Sequence, residues 1–400
     1  MMSQKSTQTR LSTFSPEQQL LLLAARTRVS DPQRLQDLAS RPLDWETVVS
    51  QAQSHGIVPL VASALAEHCP GSVPEAAMAQ LRRTHHEVAQ NSLQLTQELL
   101  SVLSLLDDHG IDAIPYRGPV LADLAYGDIG HRQFSDIDLL VRREQLVVAA
   151  EVLESRGYER DFELASTTEL TDAQTTAYCL FSRDHPFYRP ASNTMVELHW
   201  RVLDRRLPTQ IELDTVWDRR SVATIAGQEV PVLSAEDRLL MASVHGTRHV
   251  WERLEWLVDI AELIDGTHID WETALSRARE QNAERMFLLG PLVARDLFGV
   301  DLPDVVYRAA EDHECLDDLK QAVFDVLFAT DPIDEVHLQR LQFRAVERPV
   351  DRLRLLLGWL CIPNRGEVEL VSLPKPLIWL YVFVRPARLV SFAVRRDRDQ

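Results

Sequence analysis

Lysine is nearly missing from this 400-residue chain: Lys5, Lys320 and Lys375 are the only three, and arginine supplies the rest of the 42 basic residues. That argues against a catalytic lysine and leaves phosphate contacts to arginine, backbone N–H groups or a metal. Basic residues are also outnumbered by acids, 42 to 60, for a formal charge of −18. A balance of that sign disfavours non-specific association with nucleic acid, because neutralising phosphates supplies most of that affinity. Paired cysteines are lacking too. Cys69, Cys179, Cys315 and Cys361 lie far apart, so neither a disulfide frame nor a zinc site is expected, and reduced thiols in a cytoplasmic protein are. No apolar run approaches the roughly 18 residues of a spanning helix. Residues 1–14 are polar, lack a secretory apolar segment, and are expected to form a disordered leader. The remaining composition, 45% hydrophobic and 26% charged, is that of a globular chain long enough for two or three domains.

Against that background one stretch stands out, Phe134-Ser135-Asp136-Ile137-Asp138-Leu139-Leu140-Val141. It reads as a buried strand interrupted by two acids. Alternation places Asp136 and Asp138 on one face, roughly 7 Å apart at the Cα atoms, and Ile137 and Leu139 on the other. Parallel carboxylates on a sheet face repel and lose hydration, and a cation between them relieves both costs. Mg²⁺ suits such oxygens and brings phosphates with it. The plainer reading is an edge strand with one solvated polar face.

Upstream, residues 111–122 read as a short strand, a glycine turn at Gly118 and a helix from Pro119 to about Tyr126. A glycine there permits close ligand approach, and the helix start offers N–H groups to a phosphate. Downstream, Thr194-Met195-Val196-Glu197-Leu198-His199-Trp200 is again an acid inside an apolar, β-branched run. Glu197 is the candidate third carboxylate, unless it and His199 simply face water.

The order of elements suggests three regions. Residues 15–110 read as helical. Ser15-Pro16, Asp31-Pro32 and Asp44-Trp45 mark helix starts, Gly56 a stop. A long amphipathic helix from about Pro74 to His109 carries an apolar stripe of Leu93, Leu95, Leu99, Leu100, Leu103 and Leu106. Residues 111–232 alternate strand and helix, with strands expected at 158–162, at Tyr178–Phe181 and at Met195–Trp200, a loop at 163–176, and a hairpin from Val222 to Val232. Residues 233–400 are helical again. Ser234-Ala235-Glu236-Asp237 reads as a capping box, and Asp270-Trp271-Glu272-Thr273 repeats the helix start at Asp44.

His245 and His249 fall on one face of a helix. That is a metal-ligand spacing, but Gly246 stands where a zincin has its glutamate. Core packing or contact with a ligand are the other readings, with Arg248 beside them as a phosphate contact. The apolar, arginine-bearing segment from Pro374 onward is either a final docked helix with its basic end solvated or a peripheral contact with an anionic membrane surface.

Arg117-Gly118, Tyr126-Gly127-Asp128, Arg132, Asp136-Ile137-Asp138 and Glu197-Leu198-His199-Trp200 together resemble the nucleotidyltransferase superfamily. More narrowly they resemble the uncharacterised bacterial nucleotidyltransferase family. The resemblance continues through Ser234-Ala235-Glu236-Asp237, His245 to His249 and Trp256-Leu257-Val258-Asp259-Ile260, covering roughly residues 90–300. Two departures mark this chain: Arg117 replaces the lysine usual in the family turn, and Pro119 replaces the serine or glycine usual in the superfamily. The resemblance implies an α+β fold, a mixed sheet core at 111–232 flanked by helical regions at 15–110 and 233–400. It implies Mg²⁺-dependent transfer of a nucleoside monophosphate from a triphosphate to an acceptor. Asp136, Asp138 and Glu197 would be the catalytic, metal-holding acids for two Mg²⁺ ions. Arg117, Gly118, Arg132, His199, Arg248 and His249 would bind nucleotide. The acceptor stays open, with the acidic charge favouring a small molecule, peptide or protein over long nucleic acid. Two rivals are a nucleotide-binding regulator on the same fold and a helical interaction protein whose Asp-Ile-Asp strand is only a polar face.

Overall fold

The structure, a computed structural model, describes residues 13–160, 171–202, 206–207, 213–329 and 335–396. Most of the expected leader, the end of the 158–162 strand, most of the 163–176 loop and Arg398 lie outside them. The chain divides into two compact units that interleave along the sequence. One comprises Met1–Ser101, Pro115–Ser135 and Asp218–Ala345; the other comprises Val102–Ile114, Asp136–Trp217 and Val346–Gln400.

The second unit contains the sheet. Its strands are β1 (Ala113–Pro115), β2 (Asp136–Val141), β3 (Glu159–Arg160), β4 (Asp184–Arg189) and β5 (Thr194–His199), in the spatial order β1-β2-β5-β4-β3. β2 and β5 run parallel, while β4 is antiparallel to both β5 and β3, so the sheet is mixed. Ile137, Leu139, Val196, Leu198 and Phe187 are essentially inaccessible. They share one face by alternation and register and bury it against the rest of the unit. The fold is α+β, as the sequence implies. One strand was misplaced. Tyr178-Cys179-Leu180-Phe181 ends a helix, Asp172–Phe181, fixed at its start by a capping box between Thr171 and Gln174. Its apolar side, led by Ala177, meets Val368, Ile378 and Tyr381; a four-residue apolar run carries too little periodicity to separate strand from helix.

The first unit is helical apart from a hairpin, β6 (Ser221–Ile225) and β7 (Gln228–Val232), turned by Ala226 and Gly227, both at positive φ. That is the conformation a two-residue hairpin turn demands. Helix starts follow the sequence. Ser15 and Gln18 form a capping box, Asp31 accepts from the Arg34 N–H, and Asp44 and Asp270 both accept backbone N–H groups and a threonine hydroxyl. The long helix, Glu75–Asp108, runs from the first unit into the second. Its buried line is Leu95, Leu99, Val102 and Leu106, whereas Leu93 is 52% exposed and lies off the stripe. The helix expected from Pro119 is three α-residues, Pro119–Leu121, followed by a π-turn, Ala122–Tyr126.

Candidate active site

Parallel pairing of β2 with β5 sets Asp138 beside Glu197, and Leu140 beside His199. Neighbouring parallel strands lie about 4.8 Å apart, so the two carboxylates meet across a single strand gap. His199, two residues beyond Glu197, comes to the same face. Its Nε2 is 2.8 Å from Asp138 Oδ1 and 3.1 Å from Glu197 Oε2. β4 adds Asp184 opposite His199, with Oδ2 at 3.9 Å from His199 Nδ1. Arg183 holds that same Asp184 oxygen at 2.8 Å.

His199 is 1% exposed and Asp138 5%, while the Glu197 side chain keeps 26% of its surface open. Burial by itself would lower the imidazole pKa. Hydrogen bonds to Asp138 and Glu197, with Asp184 nearby, outweigh it and push His199 up to about 9. That pairing favours the protonated ring, with the one Nε2 facing both carboxylates. Asp138, Glu197 and His199 each offer a donor atom within 4.8 Å of the others, a grouping able to hold a metal ion. Asp136 lies two residues before Asp138 on the same face, in register with Met195.

The other candidates belong to the first unit. Arg117 Nη2 is 3.0 Å from His245 Nε2. Gly118 has φ +56° and ψ −126°, a backbone conformation that suits glycine alone. Arg132 is not poised for a phosphate. It is 4% exposed, and its Nε and Nη2 donate to the two oxygens of Asp259 at 2.7 and 2.9 Å. The Tyr126 hydroxyl donates to Asp259 Oδ1 at 2.6 Å. Burial, then Asp259, raises the Tyr126 pKa well above its ordinary value. Three separate motif residues, Tyr126, Arg132 and Asp259, therefore form one buried network, a geometry that fixes the π-turn on the Leu254–Gly266 helix. His245 and His249 close a ring cluster with Trp256, their centroids 4.5 Å apart and 5.4 and 5.1 Å from the Trp256 ring.

Sequence reasoning missed Asp184, because the strand was expected at Tyr178–Phe181, which is helical, and not at Asp184–Arg189, where it lies. It also passed over Trp251. That fully buried indole ends a turn in which Val250 and Trp251 both have positive φ, and Gly246 and Gly290 make room for its ring. The two glycines, and a tryptophan following His249-Val250, were the available signal.

The model of the family described as "Uncharacterised nucleotidyltransferase" matches residues 41–299, and the chain belongs to that family. A search of the curated proteins finds no match. The crystal structure of an antigenic nucleotidyltransferase-like protein from Paracoccidioides brasiliensis aligns at 18% identity over 55% of this chain and 98% of that one. Its TM-score is 0.31, too low to carry an argument.

Proposed function

We propose that the chain is a Mg²⁺-dependent nucleotidyltransferase, moving a nucleoside monophosphate from a nucleoside triphosphate to an acceptor nucleophile. The observation that carries this reading is Asp138 beside Glu197 on adjacent parallel strands, with His199 hydrogen-bonded between them. The donor set fits the metal: two hard carboxylate oxygens, with Asp136 on the same face, match an ion usually held by one or two carboxylates and substrate phosphates. When bound, one or two Mg²⁺ ions would neutralise phosphate charge and align attacking and leaving oxygens.

The chain's own groups do the rest. Asp138, the more buried acid, fixes position; Glu197, the more open one, accepts the proton of the attacking nucleophile. His199 offsets the repulsion between them and orients both oxygens. On the family resemblance we assign Arg117, Gly118, Arg248 and His249 to the nucleotide. Arg132, already paired with Asp259, acts only through the turn it anchors. The acceptor is a small molecule, peptide or protein, the classes that a charge of −18 favours over long nucleic acid.

Pyrophosphate release measured with each nucleoside triphosphate and Mg²⁺ tests the reading. Asp138→Asn and Glu197→Gln are each expected to lower turnover by about 10²-fold or more, the usual cost of removing a group that stabilises transition-state charge. His199→Gln, one step removed, is expected to cost roughly 10–100-fold. Turnover equal to the parent in Asp138→Asn contradicts the proposal. Triphosphate binding with no product would identify a regulator instead.

A further inference from the structure

Arg238 is a buried guanidinium with Glu236 nearby but no ion pair of its own. It sits in the first turns of the Ala235–Arg248 helix and is only 9% exposed. Its Nη1 donates to the Leu233 carbonyl at 2.9 Å, but its Nε is buried without a hydrogen-bond partner. Among the described residues no carboxylate forms an ion pair with it. Burial accordingly holds its pKa below the ordinary guanidinium value. Buried charges are normally paired or fully hydrogen-bonded, so a buried guanidinium with neither calls for a partner.

The guanidinium lines a small recess within the first unit, together with Tyr116, Arg117, Met241, His245 and Trp256. Asp259 reaches the same recess, yet both its oxygens are engaged by Arg132 and one also by Tyr126. Two guanidiniums and an imidazole thus meet around one opening, with Trp256 and Met241 as apolar walls. Arg117 is held toward His245 at 3.0 Å, and the His245 ring is packed edge-on to Trp256. The helix that bears Arg238 and His245 ends in the strained Val250-Trp251 turn. Strain of this kind is retained where surrounding structure over-determines it, which binding sites commonly do.

We propose that this recess is an oxyanion site that takes one phosphate or carboxylate group of a substrate. Arg238 and Arg117 provide the charge, and His245 orients Arg117. A planar guanidinium fork matches such a group with two parallel hydrogen bonds. The site needs no metal and stands whether or not the chain transfers nucleotidyl groups.

The test is thermal unfolding of the full chain against rising inorganic pyrophosphate in EDTA, which silences the carboxylate site. The parent and Asp138→Asn are expected to show the same saturable rise in Tm. Arg238→Gln is expected to bind at least tenfold more weakly while unfolding, without pyrophosphate, no lower than the parent, since it loses an unpaired buried charge. Should Arg238→Gln fail to fold, Arg117→Gln must show the same weakening. No saturable rise in the parent, or equal affinity in the folded variant, overturns the proposal. ATP displacing pyrophosphate assigns the site to the nucleotide's phosphates; ATP and pyrophosphate binding together assign it to an anionic group on the acceptor. A chain that binds pyrophosphate in this way yet releases none from any triphosphate loses the enzymatic reading and keeps this one.

A different observation, in the second unit, carries a second inference. The Pro349–Cys361 helix leaves Val350, Leu353, Leu357 and Leu360 about half exposed, at 52, 56, 49 and 46%, at spacings that share one face. The 3₁₀ turn Lys375–Leu380 and the Tyr381–Arg396 helix expose Trp379, Phe383 and Val390 by 58, 62 and 63%. Tyr381 docks on the unit's core, as a final docked helix would, while the opposite side stays apolar and exposed. From 346 to 400 the chain has ten lysines and arginines against six acids, a net of +4 in a protein of −18. We infer that this face rests on an anionic bilayer, apolar side chains at the headgroup boundary and the segment's net positive charge drawing it there, lying flat. Among the described residues no helix is long and apolar enough to cross a membrane. Co-sedimentation should retain the chain on phosphatidylglycerol-containing vesicles, release it in high salt, and fall at least tenfold for Phe383→Ser with Leu357→Ser. Absence from those vesicles overturns the inference, as does lipid-independent dimerisation that the same substitutions abolish.

Discussion

A single hydrogen atom decides the fit at Gly246. A Cβ there would meet the Trp251 ring at 2.3 Å, against a rigid, fully buried indole. Gly246→Ala is expected to cost about 1–3 kcal/mol in urea unfolding, as overpacked cores do; an unchanged midpoint would show that the ring moves freely. His55 supplies a second residue-scale prediction. Burial, with Arg253 nearby, lowers its pKa from 6.5 to about 4, and its Nδ1 accepts the Leu254 N–H at 3.2 Å. The folded chain therefore binds fewer protons than the unfolded one between those values. The contribution of His55 to stability is complete above about pH 6.5 and is lost as pH falls toward 4. Buried Glu255, raised to about 7 chiefly by desolvation, works in the opposite direction, so the readout is a difference. The stability of the parent relative to His55→Asn, which keeps an acceptor but does not titrate, should shrink across that window. A constant difference would contradict it. At this scale the sequence made Asp138, Glu197 and His199 visible, because charged residues inside β-branched runs are rare enough to notice. Arg238 was invisible: with Glu236 and Asp237 just before it, the sequence gives no hint that it would be buried without an ion pair.

Among elements, the helix starts were the most legible, since each depends on residues within four positions of one another. Asp44 and Asp270 begin their helices in the same way from the same four residues. Ser234 begins its helix too, accepting the Asp237 N–H at 3.2 Å, but the return half of the expected box is absent. The Ser234 hydroxyl donates to Asp237, which also pairs with Arg219 and Arg277. Ser234→Ala should lower stability by about 0.5–2 kcal/mol, the range for losing an N-cap. Ser234→Thr should retain most of it, and equal loss in both would place the effect elsewhere. Strand assignment was less secure. β5 was recognised because its alternation is regular, whereas β4 begins Asp184-His185-Pro186, a polar and proline-bearing start that reads as a loop. The Tyr126, Arg132 and Asp259 network shows the same limit differently. All three residues stood in quoted motifs, yet their mutual contact spans more than 120 positions and follows only from the tertiary fold.

Across the whole molecule, the chain threads between two units several times, so neither is a continuous stretch of sequence. Family membership covers residues 41–299, including the carboxylate pair of the second unit and the arginine-lined recess of the first. In an acidic protein with almost no lysine, Arg117 and Arg238 bring two positive charges together at the recess of the first unit. The central claim is that Asp138 and Glu197 hold a divalent ion for phosphoryl chemistry. Anomalous scattering from a crystal of the full chain grown with Mn²⁺ and a non-hydrolysable nucleoside triphosphate tests it most directly. The account predicts a peak at bonding distance, about 2.0–2.2 Å, from carboxylate oxygens of both residues and in contact with the nucleotide phosphates. A nucleotide bound with Mn²⁺ held elsewhere, or with no ion bonded to either acid, would contradict it.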